Sequence, residues 1–380
     1  MRALAGVAAL VVAAQALVFA LWPDAHALLI DLQVYRAGGE HVLAGAPLYR
    51  GGVLLDLPFV YPPFAAVLFA PLALLPLGLL KVLWTGAGIA LLGYVVHRSV
   101  PRAGWPVVAL LAVLATALDP VRTTLYLGQI NIVLLALVAG DLLGRPGSRL
   151  RGVGVGLAAA VKLTPLLFVV YLVATGRWRA AGTAIGTFVA AAGLGFLFAP
   201  ADSVAFWFDG TFLAADRISA VDGPSNHSLN GLLARLGAAG LPWLALAAAL
   251  GVLTIVLAVR AHRAGEEVLA LTLCGLASAA LAPFAWSHHY VWVVPLAVLL
   301  GARAVAGDRR AAAGLVGVLA ATVAVVTALP GPVVGPIPAT GLISFWPDAY
   351  LLLFLALLAA TAARAVRPRS REHAVILAGG

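Results

Sequence analysis

The chain has 380 residues, of which 63% are hydrophobic and only 10% are charged, and its mean hydropathy is +1.05. Soluble domains carry about 25% charged residues, so this composition excludes a soluble globular protein and predicts a polytopic membrane protein. The net charge of +9 does not indicate a nucleic-acid-binding protein, because the basic residues lie in short turns between apolar runs. The single cysteine, Cys274, excludes an intramolecular disulfide framework.

The first apolar run, residues 3–22, is long enough to cross about 30 Å of hydrocarbon. Its alanine-rich part leaves a signal peptide open as an alternative. No soluble domain fits between this run and those that follow, so we expect one all-α membrane domain of about 10–12 transmembrane helices over residues 1–366, and a cytoplasmic tail at 367–380. The later runs are 62–79, 80–97, 104–118, 129–143, 152–174, 179–199, 241–260, 267–284, 289–302, 311–329 and 346–364.

Arginine-rich turns predict the orientation of the helices, since basic residues concentrate on the cytoplasmic side. Every arginine cluster falls on that side only if two runs enter the membrane and return. The candidates are 62–79, with Pro71 and Pro76, and 152–174, with Pro165, because proline breaks a helix. The alternative is twelve full spans with some arginine outside. Both topologies predict cytoplasmic termini, and the broken-run topology gathers the polar loops on the external face: 23–60, 119–128, 200–240, 285–288 and 330–345.

Asp31 lies just beyond the first apolar run, in a chain with only 15 acidic residues. The segment 32–44 predicts a short amphipathic helix at the membrane interface, with Arg36 and Glu40 paired four residues apart and Gly45 at its end. Asp31 is then either the N-cap of this helix or a general base held at the external surface. The two roles are compatible, because a capping carboxylate is also rigidly placed.

Two motifs place polar side chains at the start of apolar helices. VYPPF predicts a helix start and puts Tyr61 at the mouth of a cavity. In DPVRTTLYLGQINIV, Asp119 and Arg122 can pair within a loop, and Arg122 is also a candidate contact for an anionic phosphate. Gln129 and Asn131 open the next apolar helix, where buried amides need hydrogen-bond partners.

Lys162 lies far from either end of an apolar run, which makes it a candidate functional residue unless it snorkels to an interface. His227 and Asn230, in NHSLNGLL, either belong to a loop that caps a short helix or bind sugar hydroxyls. His288 and His289, in WSHHYVW, either belong to an interfacial aromatic belt or contact phosphate or sugar. A metal site at these histidines would need further ligands, and no spacing pattern demands one.

The motifs occur in an order that resembles glycosyltransferase family 87, a family of polytopic GT-C enzymes. It includes mycobacterial-type polyprenol-phosphate-mannose α-1,2-mannosyltransferases and related arabinofuranosyltransferases. The resemblance extends from Asp31 to about Leu296, and the ordered set is specific although no single motif is. The motifs are DLQVYRAGGEHVLAGAPLY, YPPFAAVLFAPLALLP, LGQINIVLLAL, AAVKLTPLLFVVYLVATGRWRAA, NHSLNGLLARL and SHHYVWVVPL.

The resemblance implies a GT-C fold and identifies Asp31 as the general base, since the family uses an acidic residue of the first external loop. It implies an inverting transfer of a sugar, with mannose expected, from a polyprenyl-phosphate donor to a lipid-anchored glycan at the external face of a bacterial plasma membrane. Glycosidases use a second carboxyl group as an acid that protonates the leaving group. Polyprenyl phosphate is already a good leaving group, so no such acid is required here. No cofactor or metal is expected.

The remaining candidate residues take two roles under this interpretation. Four are expected around the donor phosphate and sugar: Arg122, Lys162, His288 and His289. Six are candidates for the lining of the cavity and for acceptor binding: Tyr61, Gln129, Asn131, His227, Asn230 and Glu40. The expected partners are therefore the donor, a glycolipid or lipoglycan acceptor and membrane lipids, with no nucleic acid.

Three alternatives to this function remain. The first is a polyprenyl-phosphate-arabinose-dependent arabinofuranosyltransferase, and the second is a transporter or flippase of lipid-linked sugars. A transporter forms no glycosidic bond, and many transporters have internal repeats, which do not stand out in this sequence. The third is a non-catalytic scaffold in which Asp31 is only a cap. The sequence has no Walker loop or Rossmann fingerprint, so the donor is expected to be lipid-linked rather than a nucleotide sugar.

Overall fold

A computed structural model describes residues 2–21, 28–144, 147–214, 220–323 and 348–366. Within these ranges the regular structure is helical, apart from one isolated antiparallel bridge between Leu54 and Leu57, which confirms the predicted all-α class. The predicted tail and the loop 330–345 lie outside the described residues. The helices are α1 (Arg2–Leu21), α2 (Ile30–Ala44), α3 (Pro63–Phe69), α4 (Leu77–Ser99), α5 (Trp105–Ala115), α6 (Asp119–Leu127), α7 (Asn131–Leu142), α8 (Val153–Val161), α9 (Leu166–Ala174), α10 (Trp178–Phe198), α11 (Pro200–Trp207), α12 (Leu229–Arg235), α13 (Leu241–Arg263), α14 (Glu267–Ala280), α15 (Val293–Val305), α16 (Arg309–Val323) and α17 (Ala349–Val366).

Three of the helices in the described ranges, α4, α10 and α13, are long and apolar enough to cross a membrane. The pair α5 and α6 forms a fourth candidate span, bent by 80°. Many leucine, valine and isoleucine side chains on α4, α10 and α13 are exposed, as expected of a surface that faces lipid. The protein is therefore a polytopic membrane protein, as predicted, while the number of full spans remains a prediction.

Both apolar runs that were predicted to be broken are broken. In the first, α3 continues into a 3₁₀ helix, Ala70–Leu74, and Pro76 then caps α4. In the second, α8 ends where Lys162 adopts an extended conformation, and Pro165 caps α9. That each run returns to the side of the membrane from which it entered remains a prediction.

Two predictions made for the polar segments were wrong. The segment 119–128 is not a loop, because 119–127 form helix α6, in which Pro120 occupies the first turn without loss of a hydrogen bond. Helix α2 starts at Ile30, so Asp31 lies in its first turn and Leu29 takes the N-cap position. The N-cap alternative for Asp31 is thereby excluded.

One face of helix α2 is buried against the rest of the protein, while its position at the membrane interface remains a prediction. Its buried residues are Leu32, Val34, Tyr35, Ala37, Gly38 and Gly39. The helix packs against α3 and against the 3₁₀ helix that follows α3. At Gly39 a Cβ atom would lie 2.6 Å from the carbonyl oxygen of Phe69, closer than atoms can approach. Glycine therefore permits the contact that brings α2 against α3.

Segments that were predicted to lie in separate external loops meet at one end of the molecule, which we call the site end. The Leu48 N–H donates to Asp202 Oδ1 at 2.9 Å, and the His227 N–H donates to the Ala285 carbonyl at 2.7 Å. The Arg235 guanidinium also pairs with Asp348. The first two contacts join loops that were expected to share one face, and the third joins one of these loops to the start of the run 346–364.

Segments that were predicted to be cytoplasmic meet at a second place, which we call the arginine end. Arg177 pairs with Glu267 at 2.6 Å, and Arg303 pairs with Glu266 at 2.7 Å. Glu267 starts α14, whereas Ser278 and Ala279, close to the other end of this helix, line a cavity with His289. At 1.5 Å per residue the helix separates the two ends by about 20 Å.

Candidate active site

The carboxylate of Asp31 lies at the site end, in the first turn of α2, and is partly accessible. Its Oδ2 atom accepts a hydrogen bond from Gln129 Nε2 at 2.8 Å. Burial raises the pKa of this carboxyl from 3.8 to about 6, although the Gln129 hydrogen bond and the charge of Lys162 each lower it. A carboxylate with a pKa just below neutrality is ionised at pH 7 and is still basic enough to take a proton.

The motif LGQIN brings Gln129 to Asp31 through a close helix contact. Gly128 ends α6 with a φ of 71°, in the left-handed region that favours glycine. A Cβ atom at Gly128 would lie 2.8 Å from the Cβ atom of Leu32. The glycine therefore allows the turn after α6 to approach α2, and places the Gln129 amide beside the carboxylate.

The Gln129 amide is held by three neighbouring polar side chains. Its Oε1 atom accepts from the Tyr35 hydroxyl at 2.8 Å, from the Tyr61 hydroxyl at 3.3 Å and from Asn131 Nδ2 at 3.3 Å. Tyr35 is almost fully buried, and its hydroxyl oxygen accepts the Ile130 N–H at 3.3 Å. The structure thus brings Tyr61, Gln129 and Asn131 together around Asp31.

Lys162 faces the same amides from the break between α8 and α9. Its Nζ donates to Asn131 Oδ1 at 3.2 Å and lies 2.8 Å from His289 Nε2. An ammonium group can only donate, so Nε2 of His289 accepts and the ring proton belongs on Nδ1. Lys162 therefore points into the protein at the site end and does not snorkel away from it.

Two buried ring nitrogens at this site have no hydrogen-bond partner among the described residues, namely His288 Nε2 and His289 Nδ1. Buried polar atoms are normally paired, so these two atoms are positions at which a ligand can bind. The two rings meet edge to face, and Trp286 stacks on His288 with ring planes 18° apart. The stacking keeps both rings in place on the 3₁₀ helix Ser287–Tyr290.

A small cavity lies beside this group and has room for about one water-sized molecule, about 10 Å³. Its lining includes Asn131, Lys162, Thr164, Ser278 and His289.

Arg122 belongs to a neighbouring cluster on α6 rather than to the Asp31 group. Its guanidinium donates to Asp119 Oδ1 at 3.1 Å, as predicted for this pair, and its side chain is 37% exposed. The fully buried Asp119 also accepts from the Tyr350 hydroxyl at 2.6 Å and from Thr123 at 3.1 Å. Thr124, on the same helix, reaches the His288 carbonyl at 3.4 Å, so the two clusters are adjacent.

Three predicted site residues make contacts away from Asp31. The Asn230 amide donates to the Pro283 carbonyl at 3.0 Å, which holds its loop against the segment before the histidines. The His227 carbonyl accepts from the Tyr290 hydroxyl at 2.7 Å, and its ring meets Tyr350 edge to face. Glu40 pairs with Arg36 at 2.9 Å and is largely exposed. Because it lies nine residues after Asp31, it is on the opposite side of α2.

Sequence reasoning missed Tyr35, which forms the shortest hydrogen bond to the Gln129 oxygen. It lies four residues after Asp31 and therefore on the same side of α2. This spacing could have identified it as a neighbour of the carboxylate. Among the described residues no cluster of three or more histidine, cysteine, aspartate or glutamate side chains is arranged to hold a metal ion; the expectation of a metal-independent enzyme remains a prediction.

The fold and the site together define a class: a polytopic all-α membrane protein with one carboxylate and unpaired histidine nitrogens inside a polar cluster. The family model for glycosyltransferase family 87 matches residues 59–283, so the chain belongs to this family and is a glycosyltransferase. The matched range includes Tyr61, Gln129, Asn131 and Lys162, whereas Asp31 and the histidine pair lie outside it.

Curated relatives support the same assignment. A polyprenol-phosphate-mannose-dependent α-(1-2)-phosphatidylinositol mannoside mannosyltransferase of Mycobacterium tuberculosis is 36% identical over 299 residues, which cover 72% of this chain and 70% of that protein. The protein of the same name from Mycolicibacterium smegmatis is 36% identical over 304 residues, 71% of this chain and 69% of its own. A phosphatidylinositol pentamannoside mannosyltransferase of M. tuberculosis is also 36% identical, over 71% of this chain and 66% of its own. No solved structure matches the chain significantly.

Proposed function

We propose that the protein transfers a mannosyl residue from a polyprenyl-phosphate donor to a hydroxyl of a phosphatidylinositol-mannoside-type glycolipid, and forms an α-glycosidic bond. The donor and the acceptor class come from the names of the relatives. The observation that carries the proposal is the Asp31 carboxylate, with a pKa of about 6, which is joined through Gln129 and Asn131 to Lys162, a lysine in contact with His289.

In the proposed reaction Asp31 removes the proton from the acceptor hydroxyl as its oxygen attacks the anomeric carbon of the donor. The bond between the anomeric carbon and the phosphate oxygen breaks, and polyprenyl phosphate leaves with the electron pair. A single displacement of this kind inverts the anomeric centre, so a β-linked donor yields an α product. One base is sufficient because the phosphate needs no protonation to leave.

The charge that develops on the leaving phosphate is met by the cationic and hydrogen-bonding groups of the site. Lys162 provides the positive charge, and the Nδ1–H of His289 provides a free donor. Such preorganised groups stabilise the transition state strongly in a site from which water is excluded. Arg122 is partly exposed and already paired with Asp119, so we assign it to the outer part of the phosphate or headgroup site.

A product assay with purified protein tests the proposal. The protein in lipid nanodiscs is incubated separately with labelled polyprenyl-phosphate mannose, polyprenyl-phosphate arabinose and GDP-mannose, each with a phosphatidylinositol-mannoside acceptor. We expect a labelled glycolipid from the first donor only, with an α linkage by glycosidase digestion. Transfer from polyprenyl-phosphate arabinose alone would show that the protein is an arabinofuranosyltransferase. Transfer from GDP-mannose, in the absence of polyprenyl phosphate, would overturn the lipid-linked donor.

The proposal also places the site end at the external face of the plasma membrane, with both termini in the cytoplasm. It rests on the arginine distribution and on the meeting of the polar segments at the site end. In a Cys274→Ser background, Ser225→Cys is expected to react with a membrane-impermeant maleimide added to whole cells, whereas Ser148→Cys is not. The reverse pattern of labelling would invert the proposed orientation.

A further inference from the structure

A directional chain of hydrogen bonds joins the cation of the site to its carboxylate. Lys162 Nζ donates to Asn131 Oδ1 at 3.2 Å, and Asn131 Nδ2 donates to Gln129 Oε1 at 3.3 Å. Gln129 Nε2 then donates to Asp31 Oδ2 at 2.8 Å. The four residues come from α2, the turn before α7, the start of α7 and the break after α8, so tertiary packing alone assembles the chain.

The two ends of the chain determine the orientation of both amides. An ammonium group has no acceptor, so the oxygen of Asn131 must face Lys162, and its NH₂ group must face Gln129. An ionised carboxylate has no donor, so the NH₂ group of Gln129 must face Asp31. An inverted Gln129 would place its oxygen against the carboxylate and its NH₂ group against that of Asn131, leaving both contacts unfavourable.

The Tyr35 hydroxyl favours the same orientation. Its oxygen accepts the Ile130 backbone N–H at 3.3 Å, and a backbone N–H can only donate. Its own proton is then available for the Gln129 oxygen, 2.8 Å away. Tyr35 is almost fully buried, and the other acceptor within reach of this proton among the described residues, the Tyr61 hydroxyl, lies farther away, at 3.0 Å. The hydroxyl therefore acts with Asn131 to keep the glutamine oxygen turned away from Asp31.

We propose that Gln129, oriented by Asn131 and Tyr35, is a positioning residue that holds the Asp31 carboxylate in one rotamer and leaves its other oxygen free for the acceptor hydroxyl. Among the described residues, Gln129 is the one side chain that donates to Asp31, so one oxygen is held and the other is available. The inference rests on the proposed function in assigning Asp31 as the base. It adds that the same chain links this base to the lysine expected at the donor phosphate.

The first test compares Gln129→Met with Gln15→Met. Methionine keeps the length of glutamine and removes both hydrogen-bonding groups. Gln15 is a matched control because its amide, on α1, donates to the hydroxyl of Thr116 directly after α5, outside the site. We expect Gln129→Met to lower kcat by roughly 10- to 100-fold, since misplacement of a reacting group by about 1 Å costs that order. The KM for the lipid donor should change less than threefold, and Gln15→Met should behave as wild type.

The pH dependence separates positioning from a general structural effect. The Gln129 hydrogen bond stabilises the ionised carboxylate and lowers its pKa. Loss of the bond should therefore move the acidic limb of the rate profile to higher pH in Gln129→Met. Asn131→Leu removes the N–H that orients Gln129 without adding a charge, so it should move the limb in the same direction by a smaller amount.

A titration that needs no turnover completes the test. Infrared difference spectra of the protein in nanodiscs report the protonation midpoint of Asp31, identified as the carboxyl signal that Asp31→Asn removes. We expect the midpoint near pH 6 in the wild type and at higher pH in Gln129→Met, with Gln15→Met unchanged. An unchanged midpoint in Gln129→Met would overturn the inference whether or not the protein forms product. A shifted midpoint without mannosyl transfer by the wild type would keep the hydrogen-bonded chain and reject the proposed function.

Discussion

Two carboxylates in the same protein, Asp31 at the site end and Glu267 at the arginine end, are held very differently. Glu267 accepts from Arg177 Nη1 at 2.6 Å and from the Tyr171 hydroxyl at 2.9 Å, and it pairs with His262 Nδ1 at 2.6 Å. Asp31 accepts from one amide only among the described side chains. A carboxylate with its oxygens occupied connects helices, whereas one with a free oxygen can accept a proton from a substrate.

The same contrast applies to the cations. The Arg177 guanidinium donates to Glu267 and to Thr175. Its central carbon also lies over the face of the Tyr171 ring, 4.6 Å from the ring centre. Lys162 faces a neutral amide and a histidine ring and has no direct carboxylate partner at hydrogen-bond distance in the described structure. An unneutralised cation inside an apolar protein is costly, and a phosphate ligand would offset that cost.

The largest effect should come from Asp31→Asn. Asparagine keeps the size of the side chain and still accepts the Gln129 hydrogen bond, so folding should survive. A positioned general base contributes roughly 10²- to 10⁴-fold to the rate, and kcat should fall by that order with little change in donor binding. Product formation by the purified variant, measured beside its melting temperature, checks this. Wild-type turnover in a normally folded variant would leave Asp31 without a catalytic role.

Lys162→Met should have the second largest effect. It removes the positive charge from the site, and the loss of one transition-state contact of this kind costs roughly 10²-fold. We expect kcat/KM to fall by this factor and the polyprenyl-phosphate product to bind more weakly. The chain's second lysine, Lys81, provides the matched control in Lys81→Met. Equal loss in both variants would point to a general effect of charge removal rather than to a site at Lys162.

The rate should also depend on the ionisation of Asp31. Its pKa is raised to about 6, so the base is ionised above this pH and protonated below it. The kcat/KM should rise as the pH increases towards 7 and fall about tenfold per pH unit well below pH 6. A profile that stays level down to pH 4.5 would show that the rate-limiting step does not need this carboxylate.

At the arginine end, Glu267→Gln should affect stability and not chemistry. The variant loses its charge attraction to Arg177 and weakens the contact with His262, so the free energy of unfolding should fall by roughly 1–3 kcal/mol. Thermal unfolding in nanodiscs measures the stability, and the specific activity of the folded protein should stay within twofold of wild type. A selective loss of kcat at unchanged stability would contradict the distinction between the two ends.

Glu40→Gln should have the smallest effect. Glu40 is largely exposed and pairs with Arg36, and exposed ion pairs contribute about 0–1 kcal/mol. Activity and melting temperature should both remain close to wild type. Severe inactivation by Glu40→Gln, with Asp31→Asn still active, would move the base from one side of α2 to the other.

Several features of the site followed from local sequence and several did not. The broken runs followed from Pro76 and Pro165, since proline cannot continue a helix, and the Asp119–Arg122 and Arg36–Glu40 pairs followed from their spacing. The start of α2 was misplaced because Leu29 takes the N-cap position in a left-handed conformation, with a φ of 45°. Residue propensities do not predict a leucine in a left-handed conformation at an N-cap. The Leu29 side chain packs against Gly128, which is a contact between segments distant in the sequence.

The sequence by itself determined the class of the protein, because 63% hydrophobic residues in long runs cannot form a soluble domain, and because the ordered motifs resemble one family. It also singled out Asp31 and Lys162, since charges beside or within apolar runs are costly and rarely incidental. The tertiary structure alone decided which polar residues meet. Gln129, Asn131 and Tyr35 join Asp31 to Lys162, whereas Glu40 and Asn230 make contacts elsewhere. Hydrogen bonds form only between atoms about 3 Å apart, and tertiary packing brings Gln129 within that range of Asp31 and Lys162 within that range of Asn131.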